Sequence, residues 1–304
     1  MKIIKPETIG DAELTASNVT EADETEWTSG ATFAIDDLCM VTTTANGASV
    51  ASHRIYKSLT GSNTGNDPTT DTTNWEEVSA TNRFKMFTNI VQDQTVNAGS
   101  ITSSLVFTDV VNSIGFINLD AESIEVTVTD AVEGVVYDET YQLTSDSGIQ
   151  DWYAYFFEPI VRDTSLTVTD LPPYAGATID ITITESTTAK CGACVIGQFA
   201  DLGFAEHGIS LSIIDYSVKT TDDDGRVTIT QGDYIDTVNV DVVMNTPAVA
   251  QVKKILTDLR TEPVVWIPED GNAAYNVFGY YREFDIIVSN PTLSRCSLEI
   301  EGLV

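Results

Sequence analysis

Basic residues are scarce in this sequence. Of its 304 residues, 15 are Lys or Arg against 46 Asp or Glu, a net charge of −31. The acidic excess runs along the whole chain instead of forming one tail. Such a surface repels phosphate backbones and anionic lipid, so nucleic-acid recognition and membrane-surface binding are not expected. Histidine is rarer still, with only His53 and His207. The four cysteines, at 39, 191, 194 and 296, are too few for a small secreted disulfide framework. No window approaches the ~20 apolar residues that a spanning helix needs. The opening Met1-Lys2-Ile3-Ile4-Lys5-Pro6 is not followed by an apolar run, which predicts no secretory signal.

Apolar residues are nonetheless present in quantity. A content of 42% hydrophobic and 9% aromatic residues excludes a disordered chain and suffices for real cores. The length suits two or three domains. Residues 1–25 read as an extended acidic arm, because Glu21, Asp23, Glu24 and Glu26 crowd together and like charges favour extension. Residues 26–80 form a Thr-, Ser-, Asn- and Gly-rich module whose minimal core must come from Trp27, Phe33, Tyr56 and Trp75.

Residues 82–187 alternate with period two. Ile124, Val126 and Val128 share a face, as do Leu166 with Val168, and Ile179, Ile181 and Ile183. Breaks at 130–134, 144–148 and 171–174 complete the pattern of an antiparallel β-sandwich. Residues 188–304 keep strands and add one helix near 247–260. Thr246 is the predicted N-cap, Pro247 the first helical residue, and Val249, Val252, Ile255, Leu256 and Leu259 the apolar stripe, with Pro263 as the stop. Strands at 237–244 and 264–267 are expected to pair in a sheet under the helix. The fold class is therefore mainly β, ending in a β-rich α+β domain.

Several groups were weighed as sites. Cys191 and Cys194 make a lone C-x-x-C; without a second pair or nearby histidines a zinc or redox site is less suited than buried free thiols or one structural disulfide. Asp222-Asp223-Asp224-Gly225 lacks the alternation and distal Glu of a calcium loop, and reads as a hairpin turn between strand-like 210–219 and 226–230. His53, near a hairpin tip, and His207, in a loop, are surface or structural residues in this reading, and no G-x-S-x-G accompanies them. Paired carboxylates for glycan cleavage stay open among so many acids. No catalytic residue, metal or cofactor is assigned. Residues 151–157, Asp-Trp-Tyr-Ala-Tyr-Phe-Phe, form the densest aromatic run; read as a strand, it sends Trp152, Ala154 and Phe156 to one face and Tyr153, Tyr155 and Phe157 to the other. One face then joins the sandwich core, and the other is a sugar platform or, more commonly, an interface. Trp152, Tyr153, Tyr155 and Phe157 are the candidate interface residues.

Residues 27–78 resemble the small chitin-binding-type carbohydrate-binding modules. The matching residues are Trp27, Gly30, Phe33, Asp36, Cys39, Tyr56-Lys57-Ser58, Gly65, Pro68, Trp75 and Val78. The resemblance implies sugar contacts by Trp27, Tyr56 and Trp75, although Leu59-Thr60-Gly61-Ser62 stands where such modules commonly carry an exposed aromatic. The middle domain is similar to a galactose-binding-like jelly roll through residues 112–120 and the strand after them. In the last third, Asp201-Leu202-Gly203, His207-Gly208, residues 215–219, Gly225, residues 279–284 and the ending at 296–304 resemble tail proteins of bacteriophages and prophages. That resemblance implies a virion component of the tail tip or baseplate, made in the host bacterial cytoplasm. Its implied partners are other tail proteins at the tube end, hub and fibres, and further copies of itself. A host-attachment adhesin that binds surface glycan through the small module is the alternative, and a glycan-degrading virion enzyme a more distant one.

Overall fold

The computed structural model describes residues 1–144, 151–157, 161–288 and 290–303, with the side chains of Ala154 and Tyr155 outside the described set. The chain is mainly β, as its period-two runs require.

The first strand, β1 (Lys2–Pro6), is not part of a free arm. It lies between two partners, with Ile3 opposite Ala200 on one side and Trp266 on the other. Ile3 and Ile4 are fully buried. β2 (Leu14–Ser17) also pairs, along residues 103–105. The acidic stretch that suggested an arm begins only after these strands. Two isoleucines between lysines give no periodic signal, and their partners lie some two hundred residues away.

Residues 26–80 carry β3 (Thr32–Phe33), β4 (Leu38–Val41), β5 (Arg54–Ser58), β6 (Asn63–Thr64) and β7 (Trp75–Ala80). β4, β5 and β7 form one small sheet and β3 with β6 another, around a core cluster of their own. The main body then begins with β8 (Thr95–Val106), β9 (Ser113–Asp120), β10 (Ser123–Asp130) and β11 (Gly134–Gln142). A short helix, α1 (Trp152–Phe157), precedes β12 (Ser165–Val168). The aromatic run is thus helical, not alternating. A strand there would need a partner edge, whereas a helical turn satisfies its backbone locally and lets i,i+4 rings meet: Trp152 stacks toward Phe156 and Tyr153 toward Phe157.

β13 (Thr178–Asp201) is the spine of the molecule, 24 residues long. Its first half pairs with β8 and β10, and its second half with β9 and then β1. It runs unbroken through the expected domain boundary at 187/188. Ile124, Val126, Val128, Ile179, Ile181 and Ile183 all enter one core together with Ile114 and Phe116 of β9, so the predicted buried face is the observed one. At Gly197 a Cβ would stand 1.8 Å from the Lys5 carbonyl oxygen, so only glycine lets β1 approach.

The remaining strands are β14 (Phe204–Ala205), β15 (Ser210–Asp215), β16 (Val218–Thr221), β17 (Val227–Thr230), β18 (Tyr234–Asn245), β19 (Val264–Ile267), β20 (Val277–Ile287) and β21 (Leu293–Gly302). Sheet order runs β1-β19-β20-β21-β18, so the strands expected to pair directly, near 237–244 and 264–267, share a sheet but are separated by β20 and β21. The helix begins as a 3-10 turn, Thr246–Ala248, and continues as α2 (Val249–Asp258). Thr246 is not its N-cap; its hydroxyl donates to the Asn290 carbonyl oxygen, and Asn245 precedes the turn. Val252, Leu256 and Leu259 press into the core formed with Val240, Val242, Leu298 and Trp266.

If β1 is structural, Ile4→Ala lowers stability in urea denaturation by about 2–5 kcal/mol. An unchanged midpoint would restore the free-arm reading of the N-terminal segment.

Candidate functional site

Three surfaces and one buried cluster were candidates for function. The small module comes first, because its aromatics carried the sugar-binding expectation. Trp27 and Trp75 are each only 2% exposed and Tyr56 6% exposed. All three lie in the module's core with Phe33, Cys39, Val41 and Ala48. Trp75 meets Phe33 edge to face at 5.1 Å and donates its indole N–H to the Asn66 carbonyl oxygen at 2.9 Å. The Tyr56 hydroxyl donates to Ser52 Oγ at 3.1 Å, and burial raises its pKa. No ring among them offers a face to a sugar, so their assignment as carbohydrate-binding residues is corrected. With so few aliphatics in residues 26–80, the aromatics are needed to build the core.

The aromatic helix behaves oppositely. Trp152, Tyr153, Phe156 and Phe157 of α1 are all largely exposed, so the rings from both expected faces point outward and none of these four joins the sandwich core, because the segment is helical. Tyr155, the remaining candidate interface residue, has its side chain outside the described residues.

A second apolar surface was not anticipated. β15 pairs only with β18, and beyond it β16 and β17 pair only with each other, turning at Asp222–Gly225. The turn is the predicted hairpin: the Gly225 N–H donates to the Asp222 carbonyl oxygen at 3.0 Å, and Gly225 takes φ +80°. The result is a two-stranded ribbon that leaves the sheet with solvent around it. Leu211, Ile213, Tyr216, Val218, Val227, Ile229 and Tyr234 are exposed along it. A two-stranded ribbon alone in water is at best marginally stable. The available sequence signal was the Thr/Val/Ile content on both sides of the Asp-Gly turn.

His53 is not at a surface tip. Its side chain is 9% exposed and wedged at the junction of module and body. Its Nδ1 donates to Glu21 Oε1 at 2.8 Å, while Nε2 lies 2.8 Å from Asp11 Oδ1 in a charge contact not aligned as a hydrogen bond. The ring stacks on Phe84 at 4.2 Å. Glu21 also accepts from Thr81 Oγ1 at 2.6 Å and meets Arg83 Nη1 at 3.1 Å, and Arg83 Nε donates to the Val19 carbonyl oxygen. Burial by itself lowers the His53 pKa, but the contacts and charges of Glu21 and Asp11 outweigh it and the net shift is upward. For Glu21, burial pushes up, the bonds from His53 and Thr81 and the charges of His53 and Arg83 push down, and the net shift is downward. Both ring nitrogens thus face carboxylates, which favours the charged form of the ring. Sequence spacing could not reveal this cluster, because its members lie at positions 11, 21, 53, 81 and 83.

The cysteines are all free and buried. Cys191 and Cys194 lie in the sandwich core and Cys296 in the core under α2. Burial raises the Cys39 thiol to about 12 and Cys296 to about 11, and pushes Cys191 and Cys194 upward as well. Thiols so raised are poor nucleophiles and poor ligands. Among the described residues no group of three or more His, Cys, Asp or Glu side chains converges as a metal site. The outer face of β18, β20 and β21 holds a shallow acidic depression with Asp241, Glu283, Asp285 and Glu299. No described helix is long and apolar enough to cross a membrane.

If the module aromatics are core, Trp75→Ala removes the module's structure, costing about 3–5 kcal/mol as read by loss of its near-ultraviolet dichroism. A folded module with only a binding defect would contradict this placement. No protein-family model matches the chain, and no curated protein matches it either.

Proposed function

We propose that the protein is a non-catalytic structural component of a bacteriophage tail tip or baseplate, joining the tube end, hub or fibres. The observation that carries this reading is the projection made by β15, the β16–β17 ribbon and the start of β18. It exposes seven large apolar side chains and open strand edges on a chain that is otherwise strongly acidic. Exposed apolar surface of this kind marks protein contacts, and open edges invite strand pairing. The aromatic helix α1 adds a second patch of the same character. Burial of Trp27, Tyr56 and Trp75 removes the residues on which the adhesin alternative rested. The resemblance of the last third to phage tail proteins supplies the setting, and virion location and tail partners follow from it.

Contacts between copies then work against charge. Each chain carries −31, so apolar burial must outweigh repulsion that salt screens. Covering one aliphatic side chain contributes roughly 1–2 kcal/mol, so removing three weakens association by about a hundredfold or more. Light scattering of the purified chain, with mass spectrometry of tail particles from cells producing the virus, tests this. The chain is expected in the particles and in a closed oligomer. The Ile213→Ser, Val218→Ser, Ile229→Ser variant is expected to be a folded monomer. A wild-type chain that is monomeric at all concentrations and absent from the particles would overturn the reading.

A further inference from the structure

We propose that the small module of residues 26–80 is clasped to the body by the proton on His53. The clasp closes between two pH limits and releases the module on either side. The geometry carries this inference. The module's core is its own cluster, separate from the sandwich core. Where the two meet, the charged groups come from three directions. Asp11 comes from the turn before β2, Glu21 from the segment after it, and Arg83 from the segment that leaves β7. Thr81 and Phe84 of that last segment complete the enclosure, and Asp23 accepts from the Asn82 N–H beside it. His53 is the module's contribution, and it takes φ +52° to reach the site. No other residue supplies a positive charge between Asp11 and Glu21; Arg83 serves the far oxygen of Glu21.

The sign follows from which form each partner needs. His53 has its pKa raised, so its hold is full below the ordinary value of 6.5 and is lost as pH climbs through the raised value. Loss of the proton leaves a bare ring nitrogen against a carboxylate. Glu21 has its pKa lowered, so its hold is full above the ordinary 4.5 and is lost as pH falls through the lowered value. Docking is therefore strongest from mildly acidic to neutral pH. Loss of the His53 proton removes the cation that Asp11 and Glu21 share and leaves Glu21 to Arg83 alone, while protonation of Glu21 leaves His53 to Asp11 alone.

The chain's two histidines make the test direct. In the full chain with 13C-labelled histidine, His53 and the exposed His207 give two ring resonances, His207 serving as the internal reference. The expected His53 midpoint lies above 6.5. Asp11→Asn, at a side chain 64% exposed and thus safe for folding, is expected to move that midpoint down. Module release is read by trypsin cleavage after Arg83, normalised to cleavage after Arg226 at the ribbon tip. Cleavage is expected to rise by at least about tenfold as pH passes the His53 midpoint, and in Asp11→Asn the rise should follow the midpoint downward. A His53 midpoint at or below 6.5 overturns the proposal. So does cleavage after Arg83 that is unchanged while His53 titrates.

Discussion

One hydrogen-bonded strand governs this molecule. Over its 24 residues β13 gives its first half to the sandwich and its second half to β9 and then to the strands that run from β1 through β19, β20 and β21 to β18 and beyond. Every backbone group along a buried strand needs a partner, so the two regions cannot part without opening that ladder. β1 locks the arrangement by filling the slot between β13 and β19, with Gly197 allowing the close approach. The sandwich and the last third are thus one continuous β structure. The small module has its own core and its own small sheets, separate from that structure.

This rigidity explains where function can reside. The cysteines, Trp27, Trp75, Trp266 and His53 are committed to packing or to ion pairing. What the scaffold leaves outside is an acidic surface, one aromatic helix and one ribbon. The acidity keeps copies soluble and resists phosphate backbones. In the proposed assembly the ribbon and the helix would supply the apolar area of contact.

Much of this was legible in the residues. Ile124, Val126 and Val128 alternate because one face of their strand is buried and the other is not, and the stripe Val252, Leu256 and Leu259 recurs at helical spacing for the same reason. The Asp-Gly turn at the ribbon tip was legible from backbone preference alone. Other features depend on neighbours distant in sequence. Ile3 and Ile4 look like part of a polar tail until Ala200 and Trp266 flank them. Trp27 and Trp75 suit a sugar platform or a core equally well by spacing, and burial decides between the two. Residues 151–157 satisfy a period of two and also an i,i+4 pairing of rings, and the chain takes the second. The His53 cluster draws on four separate segments, so no local pattern announces it.

The central claim is that a rigid, acidic β scaffold presents the projection made by β15, the β16–β17 ribbon and the start of β18 for cover by other subunits. Hydrogen exchange compared between the dilute free chain and its assembled form tests that most directly. Amides of β13 should be protected in both states, while those of residues 216–233 should exchange rapidly in the free chain and become protected on assembly. Ribbon amides that exchange equally fast in both states, or are already protected in the free chain, would contradict the account.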